Sequence, residues 1–494
     1  MKKNLFSSAW DIPLGLMICS VVFGYICLRA SLISISHDEA LTYLIHVHSS
    51  WKEILFHPQY PASNNHLLNT LFIKILVHWF GPSVFVLRIP ALAGCLLYMA
   101  AGFKILRLFS KGLPFVVGLT LLITNPLMMD LFSCARGYSL ALGVFMLALY
   151  YCFKRFSSND RFNKNNYGAI GASTLSALSQ ISFVNTYFVI AYLLAFLQIC
   201  LFLKEKDSEP SGRNSPLPIL IALISSSLVL GLVYSPFVLG LMALPPYGGY
   251  DGFVKNTIAS LGFDIFQRGS MNPIALSALV IGILLCILMA LWGLIKSGSK
   301  GKYSTHHKFL FLTALLLIYI SVLIKSEAIF IQILYPEGRT ALYFLPLFFL
   351  FILLLPDNFN RLTGPLNKTA NIAFYTLCSV IIFHGLCSIN LNNFYIWEYD
   401  ACTKKVLTFI GHEMKEHPKK KYTIGLNWVL EPSSNYYIIF WKMKQLKPAS
   451  RKGPDGVYDF YYLLASDLDI LKKYNLRVVK SYKLSGTFLA EPIH

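Results

Sequence analysis

The chain has 494 residues, of which 55% are hydrophobic and only 14% are charged, whereas a water-soluble domain devotes about 25% of its residues to charge. This composition excludes an ordinary soluble globular protein and predicts a polytopic membrane protein. The formal net charge of +19 is spread over separate loops and a lysine-rich tail, so we expect no nucleic-acid partner. The ten cysteines lie mostly in apolar runs and form no CxxC pair, so neither a disulfide framework nor a cysteine metal site is predicted.

A membrane-spanning helix needs about 20 predominantly apolar residues, and about eleven segments approach this requirement. The first follows a positively charged start and lacks a clean cleavage site, which is typical of a retained signal anchor. The predicted spans are residues 12–33, 82–103, 113–129, 138–153, 167–182, 184–203, 217–241, 272–295, 309–324, 341–355 and 372–389. Residues 51–78 mix polar and apolar side chains at helical spacing, which favours helices lying in the membrane interface. The sequence therefore predicts an all-α membrane domain.

Lysine and arginine are concentrated in alternate loops, which face the cytoplasm by the positive-inside rule. These basic residues are Lys2, Lys3, Lys104, Arg107, Lys111, Lys154, Arg155, Arg161, Lys164, Lys204, Lys206, Arg213, Lys296, Lys300, Lys302, Lys308, Arg361 and Lys368. The other loops, at 34–81, around Asp130, at 242–271 and at 325–340, then lie outside together with the tail. We expect a multi-pass membrane protein with a cytoplasmic N-terminus and its candidate chemistry on the outer face.

The tail, residues 390–494, differs in kind from residues 1–389. It contains the short β-rich pieces KYTIGLNWVL, NYYIIFWKM, VYDFYYLLAS, LRVVKSYKL and GTFLAEPI, separated by turn-rich linkers. This pattern predicts a small extracytoplasmic α/β domain that follows a transmembrane domain of residues 1–389. The tail has no glycine-rich phosphate loop, metal-ligand cluster or nucleophile motif, which favours a role as a cap or docking module.

Residues 36–69, SHDEALTYLIHVHSSWKEILFHPQYPASNNHLLN, bring two adjacent carboxylates to the end of the first span. A charge held at the bilayer surface is costly unless it is used, so Asp38 and Glu39 are candidates for acid–base chemistry, and each should raise the pKa of the other. The simpler alternative is that they only mark where the chain enters water. The density of ligand-type and sugar-binding side chains in the same loop favours a site; these are His37, His57, Asn64, Asn65 and His66.

Two later outer turns each combine an acid with an arginine. The turn NPLMMDLFSCARGYSLAL contains Asp130 and Arg136, and Tyr138 opens the following span. The segment LYPEGRTALYFLPLFF contains Glu337 and Arg339. Arginine keeps its charge and offers a planar fork of donors, which suits a phosphate at the membrane surface. Two alternatives stay open: Asp130 and Arg136 pair only with each other, and Arg339 snorkels to the interface.

These motifs together resemble the GT-C superfamily. The likeness rests on Asp-Glu after a long first span, on a turn with an acid followed by Ala-Arg-Gly-Tyr-Ser-Leu, on Glu-Gly-Arg-Thr-Ala-Leu-Tyr before a proline-containing span, and on a terminal outer domain. Within the superfamily the chain is similar to bacterial members related to protein O-mannosyltransferases and the lipid A aminoarabinose transferase. It lacks the WWDYG signature of oligosaccharyltransferases, so asparagine glycosylation is not expected.

The resemblance implies a GT-C fold and transfer of a sugar from a polyprenyl-phosphate carrier to a lipid, glycan or protein acceptor on the outer face of the membrane. It also implies a bacterial inner (plasma) membrane protein whose active site is periplasmic or extracellular. It maps the base, or the residue that orients the acceptor, to Asp38, with Glu39 as neighbour or alternate and Asp130 as the second acid. It maps the arginines that hold the carrier phosphate to Arg136 and Arg339.

The loop residues His57, Asn64, Asn65 and His66, together with Tyr138 and Glu337, are candidates for binding acceptor or sugar. No cofactor is assigned from the sequence. A divalent metal ion held by Glu39 and His37 is an open alternative. The opposing interpretation is that a histidine at the membrane interface is more often a hydrogen-bonded structural residue. Two rival functions also stay open: a transporter or flippase of lipid-linked or small-molecule substrates, and a non-catalytic scaffold. Against the transporter, no internal repeat relates two halves of the chain.

Overall fold

The computed structural model describes residues 10–56, 64–157, 164–206, 215–238, 248–266, 273–296, 304–362, 364–416 and 421–493. His57 and several of the predicted cytoplasmic charges lie outside the described residues; these charges are Lys2, Lys3, Arg161, Arg213, Lys300 and Lys302. The chain divides into two compact units. The first comprises Met1–Tyr25, Leu92–Phe132 and Gly137–Ile389, and the second comprises Ile26–Ala91, Ser133–Arg136 and Asn390–His494.

Two long helices, Asp11–Leu32 and Val84–Arg107, contribute residues to both units. The first unit is otherwise built from helices alone in the part of the chain that the structure describes. Its α-helices are Leu113–Ile123, Pro126–Phe132, Gly137–Ser157, Asn165–Ser179, Val184–Lys206, Leu217–Val238, Ser260–Ile265, Pro273–Lys296, Thr305–Phe330, Phe344–Leu353, Pro356–Phe359 and Pro365–Cys387. Short 3₁₀ or π turns occupy Ile181–Phe183, Phe253–Ala259 and Gly338–Ala341.

Seven helices of the described chain are long and apolar enough to cross a membrane. They are Asp11–Leu32, Val84–Arg107, Gly137–Ser157, Ile181–Leu203, Leu217–Ser235, Thr305–Phe330 and Pro365–Cys387. An eighth span results if Leu113–Ile123 and Pro126–Phe132, which meet at an angle of 61°, are counted together. The prediction of a helical, multi-pass membrane chain is confirmed, but the number of spans is smaller than the eleven segments predicted.

Two of the three other predicted spans are helical segments that are too short. The predicted span 167–182 is the helix Asn165–Ser179 of 15 residues, which at about 1.5 Å per residue falls short of a hydrocarbon core about 30 Å thick. The predicted span 341–355 is divided into Phe344–Leu353 and Pro356–Phe359. The predicted span 272–295 coincides with the 24-residue helix Pro273–Lys296, which is long enough to cross a membrane. In the other two regions hydropathy found the helices but not their ends.

Two glycines allow two helices of the first unit to pack backbone against backbone. A Cβ atom on Gly94 would lie 2.5 Å from the backbone of Ser139 and Leu140. A Cβ atom on Gly143 would overlap the carbonyl group of Gly94. Small residues that let backbones approach are the usual device for packing membrane helices, because lipid offers little hydrophobic drive for helix association. The helices Val84–Arg107 and Gly137–Ser157 therefore meet at a crossing that admits only glycine.

The second unit combines helices with a four-stranded sheet. Its helices are His37–Leu41, Trp51–Phe56, Leu67–Phe80, Thr403–Glu416, Glu431–Phe440 and Leu468–Lys473, with a π-helical turn at Thr42–Val47 and 3₁₀ turns at Glu398–Asp400, Trp428–Leu430 and Ala465–Asp467. The strands are β1 (Ile424–Leu426), β2 (Phe460–Leu464), β3 (Leu476–Tyr482) and β4 (Thr487–Pro492), in the order β1-β2-β4-β3. Strand β1 pairs with β2 in parallel, and β4 is antiparallel to β2 and to β3.

This sheet confirms the predicted C-terminal α/β region, with one error. The piece NYYIIFWKM, grouped with the β-rich segments, lies largely in the helix Glu431–Phe440, which has a proline in its first turn. Tyr436, Tyr437 and Ile438 are all buried, so the segment shows no alternation between an inner and an outer face. A short apolar run that is buried on several sides cannot be assigned to strand or helix by periodicity. The domain boundary between residues 389 and 390 stays a prediction, as does the interfacial position of the helices in 51–78.

The apolar core of the second unit joins the N-terminal loop to the tail. Ile35 and Tyr43, which flank the Asp38–Glu39 pair, belong to the same buried cluster as Ile410, Tyr436 and Leu489. Because such a cluster buries its members cooperatively, residues more than 350 positions apart in the sequence fold as one body.

We expect Gly94→Ala and Gly143→Ala each to reduce the yield of folded protein sharply, because the added methyl group meets backbone rather than a movable side chain. The cost should exceed the roughly 1–3 kcal/mol of ordinary overpacking. The measurement is size-exclusion chromatography of a fluorescent fusion in detergent. Gly171→Ala is the matched control, since a Cβ atom at this helical glycine meets nothing within 4 Å. Equal yields of Gly94→Ala and Gly171→Ala would contradict the close crossing.

Candidate active site

Asp38 is directed out of a segment that is otherwise buried. From Ile33 to Tyr43 every residue except Asp38 is buried, and the Asp38 side chain is 13% exposed. The helix His37–Leu41 that carries it begins with a capping box, in which Ser36 Oγ accepts from the backbone N–H of Glu39 and Glu39 Oε2 accepts from that of Ser36. The box fixes the start of the helix and thereby sets the direction of the Asp38 carboxylate.

Glu39 forms a buried ion pair with Arg88. Arg88 Nε and Nη2 donate to the two carboxylate oxygens of Glu39 at 2.8 Å each, and the side chains are 0% and 1% exposed. The backbone N–H groups of Ala135 and Ser36 add bonds of 2.5 and 2.9 Å to the same oxygens. A carboxylate offers about four acceptor sites, so these four hydrogen bonds occupy all of them.

The remaining donors of Arg88 also find partners. Nη1 donates to the carbonyl oxygens of Ala30 and Ile33, and Nη2 donates to that of Ser34. These carbonyl groups lie at and just beyond the end of the helix Asp11–Leu32. The guanidinium group of Arg88 therefore binds both the end of this helix and the Glu39 carboxylate.

The net effect on Glu39 is a lowered pKa. Burial alone would raise the pKa of Glu39, but the charge and hydrogen bonds of Arg88, with the N–H groups of Ala135 and Ser36, lower it below the ordinary value of 4.5. Any increase from the adjacent carboxylate of Asp38 is therefore outweighed at Glu39 by these contacts. Its neighbourhood is dominated by a cation that the sequence did not place beside it.

The turn Ser133–Arg136 is tied to the same assembly at several points. Arg29 Nε donates to Ser133 Oγ at 3.2 Å, and its Nη1 and Nη2 reach the carbonyl oxygens of Asn390 and Asn393. Glu39 holds the Ala135 N–H. These contacts fix the backbone that carries Arg136.

Arg136 lies beside Asp38 and is incompletely hydrogen-bonded. Its Nη2 lies 3.5 Å from Asp38 Oδ2, and its Nη1 lies 3.5 Å from both Asp38 O and Thr42 Oγ1. These distances exceed the 2.7–3.2 Å or so of well-formed N–H···O bonds. Among the residues that the structure describes, its Nε has no hydrogen-bond partner, although the side chain is only 2% exposed. A buried guanidinium with long contacts and an unpartnered donor can accept a further anion.

The C-terminal segment holds the Asp38 loop through polar contacts. Asp400 Oδ2 accepts from the His37 backbone N–H at 2.6 Å, and His37 Nδ1 lies 2.6 Å from the carbonyl oxygen of Val429. The Tyr437 hydroxyl accepts from the Ile35 backbone N–H at 3.0 Å. Burial lowers the pKa of His37, so its ring is neutral at pH 7, and because a carbonyl oxygen only accepts, Nδ1 carries the proton.

Asp400 is a buried carboxyl group that the sequence did not single out. Burial raises the pKa of Asp400 well above its ordinary value, with further increases from Asp38 and Glu39, while the hydrogen bonds from Ser433 Oγ and the His37 N–H oppose the rise. Ser433 Oγ donates to it at 2.6 Å. Asp400 thus connects the first turn of the Asp38 helix to the helix Glu431–Phe440.

The polar residues predicted in the loop lie partly beside this assembly. The carbonyl oxygen of Asn64 accepts from Thr42 Oγ1 at 3.1 Å, which places Asn64 next to the residue that contacts Arg136. Asn65 Nδ2 donates to the carbonyl oxygen of Ile54 instead, and His66 is buried at the start of the helix Leu67–Phe80. His57 lies outside the described residues.

The other predicted site residues belong to the first unit. Asp130 and Tyr138 are both 3% exposed, in the helices Pro126–Phe132 and Gly137–Ser157. Glu337 caps the turn Gly338–Ala341, which carries Arg339, and Glu337 Oε1 accepts a short hydrogen bond from Asn256 Nδ2. Gly338 in this turn has a positive φ of 48°.

Of the two residues suggested as metal ligands, Glu39 does not fit that role, because all of its acceptor sites are taken by N–H groups. His37 Nδ1 bonds the carbonyl oxygen of Val429, so only Nε2 of this ring could bind a metal ion. No group of three or more His, Cys, Asp or Glu side chains able to hold a metal ion occurs within the described parts of the chain.

Sequence reasoning missed Arg29, Arg88 and Asp400. A signal existed for the two arginines, since each interrupts a predicted apolar span, and a charge within a span is by itself a functional hypothesis. No local signal marks Asp400, because its partner His37 lies more than 360 residues earlier.

We expect Arg88→Met and Glu39→Gln each to destabilise the protein by about 3–5 kcal/mol, because each leaves a buried partner without its counterpart. The double variant should recover part of the loss. Thermal unfolding of the purified protein in detergent at neutral pH gives the values. The ionised Glu39 stabilises the fold fully above its ordinary pKa of 4.5, and this contribution is lost as the pH falls through the lowered native pKa.

The matched control is the exposed pair Arg477 and Glu491, whose side chains are 69% and 28% exposed. Arg477→Met and Glu491→Gln should change stability by only about 0–1 kcal/mol. If the variants of the buried pair unfolded no earlier than these controls, the buried pair would not organise the loop.

Comparisons with known proteins give matches among solved structures alone. No family model matches the chain, and no curated protein matches it. The chain is similar to ArnT from Cupriavidus metallidurans in the apo state, with 10% sequence identity, a TM-score of 0.45 and 97% of each chain covered. It is also similar to ArnT from Cupriavidus metallidurans bound to undecaprenyl phosphate, with 11% identity, a TM-score of 0.44 and 99% of each chain covered.

Proposed function

We propose that the chain is a membrane glycosyltransferase that moves a sugar from a polyprenyl-phosphate donor to an acceptor hydroxyl on the outer face of the membrane. The observation that carries the proposal is the arrangement of Asp38 and Arg136. A partly exposed carboxylate stands beside a buried guanidinium whose contacts to protein are long and incomplete. A base and an anion site side by side are what this transfer requires, and the motifs around both residues resemble those of the GT-C superfamily.

Asp38 is proposed as the general base. The acceptor hydroxyl oxygen forms a bond to the anomeric carbon of the donor sugar while its proton passes to the Asp38 carboxylate. The bond between the anomeric carbon and the phosphate oxygen breaks, and the polyprenyl phosphate leaves with the electron pair. A positioned base contributes about 10²–10⁴-fold to such a step. Within residues 33–43, Asp38 is the residue that reaches toward solvent.

Arg136 is proposed to bind the donor phosphate. The leaving phosphate gains negative charge in the transition state, so a fixed cation beside it lowers the barrier. The guanidinium fork can donate two parallel bonds to phosphate oxygens, and here its Nε and the loosely held Nη groups supply the donors.

Glu39 and Arg88 are proposed as positioning residues. The four hydrogen bonds to Glu39 leave no acceptor site for a substrate proton. Its oxygens instead link three elements: the start of the Asp38 helix, Arg88, and the turn that carries Arg136. The pair thus sets the distance between base and anion site, on which a transfer in line depends.

The remaining predicted residues keep their proposed roles. Asp130 is the second acid, Arg339 a further contact to the carrier phosphate, and Tyr138, Glu337 and Asn64 are contacts to sugar or acceptor. The proposed orientation has the N-terminus in the cytoplasm and residues 390–494 on the periplasmic or extracellular side, because the lysine- and arginine-rich loops alternate with the loops that carry the acids.

We expect Asp38→Asn to lower transfer by about 10²–10⁴-fold, because a carboxamide keeps the shape but cannot take a proton. The measurement is incorporation of labelled sugar from a polyprenyl-phosphate donor fraction by purified protein of verified fold. Glu491→Gln is the control, since this carboxylate pairs with Arg477 on an exposed strand of the tail. Wild-type turnover by Asp38→Asn would remove Asp38 from the chemistry.

Arg136→Lys should weaken donor binding even though the charge is kept, because lysine lacks the two-pronged geometry. Arg136→Ala should cost on the order of 2–5 kcal/mol of donor binding if the contact is desolvated. Donor affinity is measured by native mass spectrometry with a polyprenyl phosphate, and Arg477→Lys serves as the exposed control. Unchanged affinity in a folded Arg136→Ala protein would mean that the phosphate is held elsewhere, and Arg339 would be tested next.

A further inference from the structure

A large aromatic side chain lies exposed next to the Asp38 helix. Trp428 begins the 3₁₀ turn Trp428–Leu430 and is 52% exposed. The edge of its ring meets the His37 ring at a right angle, with centroids 6.0 Å apart. His37 directly precedes Asp38, so their Cα atoms are about 3.8 Å apart. The indole is therefore one side chain away from the residue that carries the proposed base.

The turn that presents Trp428 is rigid. Asn427 caps it, since its Oδ1 accepts from the Val429 N–H at 3.2 Å while its Nδ2 donates to Asp467 at 2.9 Å. The carbonyl oxygen of Val429 is bonded to His37. A side chain held this firmly loses little entropy when a ligand binds to it, which is why rigid aromatic residues serve as anchors in binding sites.

Polar groups frame the indole. The guanidinium carbon of Arg451 lies over one face of the Trp428 ring, 5.4 Å from its centroid, so a ligand can stack on the opposite face. Arg451 Nη1 is 3.4 Å from Glu431 Oε2, and the two side chains are 47% and 15% exposed. Glu431 is itself held in place by Asn435 Nδ2, which donates to its Oε1 at 2.6 Å. A half-exposed indole thus shares one surface with a cation that has free donor capacity and with a fixed carboxylate.

We propose that Trp428, Arg451 and Glu431 form an acceptor subsite that binds a sugar ring, so that the acceptor is itself a glycan or a glycolipid. The inference rests on the proposed function and narrows its acceptor class. A sugar has an apolar face of C–H groups that packs on an indole, and hydroxyl groups at its edge that pair with a guanidinium and a carboxylate. Single exposed apolar residues are ordinary. Trp428 differs from them because it lies beside the Arg451–Glu431 ion pair and contacts the His37 ring.

The position of the subsite fits its role. A sugar stacked on Trp428 lies beyond the His37 ring, and the next ring or hydroxyl of the same acceptor can extend toward Asp38. Aromatic residues and arginine supply most of the binding energy in many recognition surfaces. Binding of the non-reacting part of the acceptor then orients the hydroxyl that reacts.

The test measures sugar transfer by the full-length protein in detergent. The donor is the labelled polyprenyl-phosphate sugar fraction of growing cells. The acceptors, assayed separately, are the glycolipid and glycan fraction and the protein fraction of envelopes from cells that lack this chain. Trp428→Ala should raise the KM for the acceptor fraction about ten-fold or more, with the KM for the donor unchanged and the rate at saturating acceptor within about two-fold of wild type. Trp428→Tyr should restore most of the affinity, and Arg451→Ala should raise the acceptor KM as well.

Trp51→Ala is the matched control. Trp51 is 50% exposed and has the Lys74 ammonium 5.9 Å from its ring centroid, so it has the same exposure and a similar cation contact. The Trp51→Ala variant should leave the KM for the donor and the KM for the acceptor unchanged. The subsite is overturned if a folded Trp428→Ala protein keeps the wild-type acceptor KM, if Trp51→Ala has the same effect, or if label enters protein rather than glycolipid or glycan. Absence of any transfer by the wild-type protein is a separate result, which refutes the proposed function itself.

Discussion

The buried pair of Glu39 and Arg88 is the interaction on which the second unit depends. Two charges removed from water are costly unless each is paired and fully hydrogen-bonded, and here all five N–H donors of Arg88 and all four acceptor sites of Glu39 have partners. Their partners come from the end of the first long helix, from the Asp38 loop and from the turn before Arg136. The pair therefore fixes the relative positions of three chain segments that are far apart in sequence.

Arg88 and Arg136 differ in how completely their donors are hydrogen-bonded, and this difference indicates which of them has a structural role and which can bind a ligand. Both guanidinium groups are buried and both lie beside one carboxylate of the Asp38–Glu39 pair. Arg88 is saturated by bonds of 2.8–3.1 Å, whereas Arg136 has contacts of 3.5 Å and, in the described part of the chain, an unpartnered Nε. Buried polar groups are normally satisfied, so the unsatisfied one is the natural place for a ligand. The adjacent carboxylates differ in the same way: all acceptor sites of Glu39 are bonded within the protein, whereas Asp38 faces the solvent.

The sequence predicted what local patterns encode. Apolar runs predicted the helices, because the helical period and the hydrophobic length are local properties, and the short β-rich pieces predicted most of the C-terminal sheet. Asp38 and Arg136 were found as candidates because each stands at an outer turn, next to other polar residues. The capping box around Ser36 and Glu39 is also a local pattern, although its consequence for the direction of Asp38 needed the fold.

Long-range pairs could not be predicted in this way. Asp38 was expected to raise the pKa of Glu39. The pKa of Glu39 is set mainly by burial and by Arg88, which lies 49 positions further along the chain. The tail was expected to act as a cap or docking module, but no local pattern predicted that Asp400, Val429 and Tyr437 hold the Asp38 loop by hydrogen bonds across more than 360 positions. Tyr436 and Tyr437 lie in a helix where strand-like composition suggested otherwise, since tertiary burial overrides intrinsic preference.

The binding of the carrier phosphate at Arg136, beside Asp38, is the step on which the proposed transfer depends. Electron cryomicroscopy of the full-length protein with a polyprenyl phosphate can locate this group. We expect phosphate density within about 2.7–2.9 Å of the Arg136 nitrogen atoms, with the Asp38 carboxylate facing the same space and the Glu39–Arg88 pair unchanged. A phosphate resolved elsewhere, with Arg136 still held only by Asp38 and Thr42, would contradict this expectation.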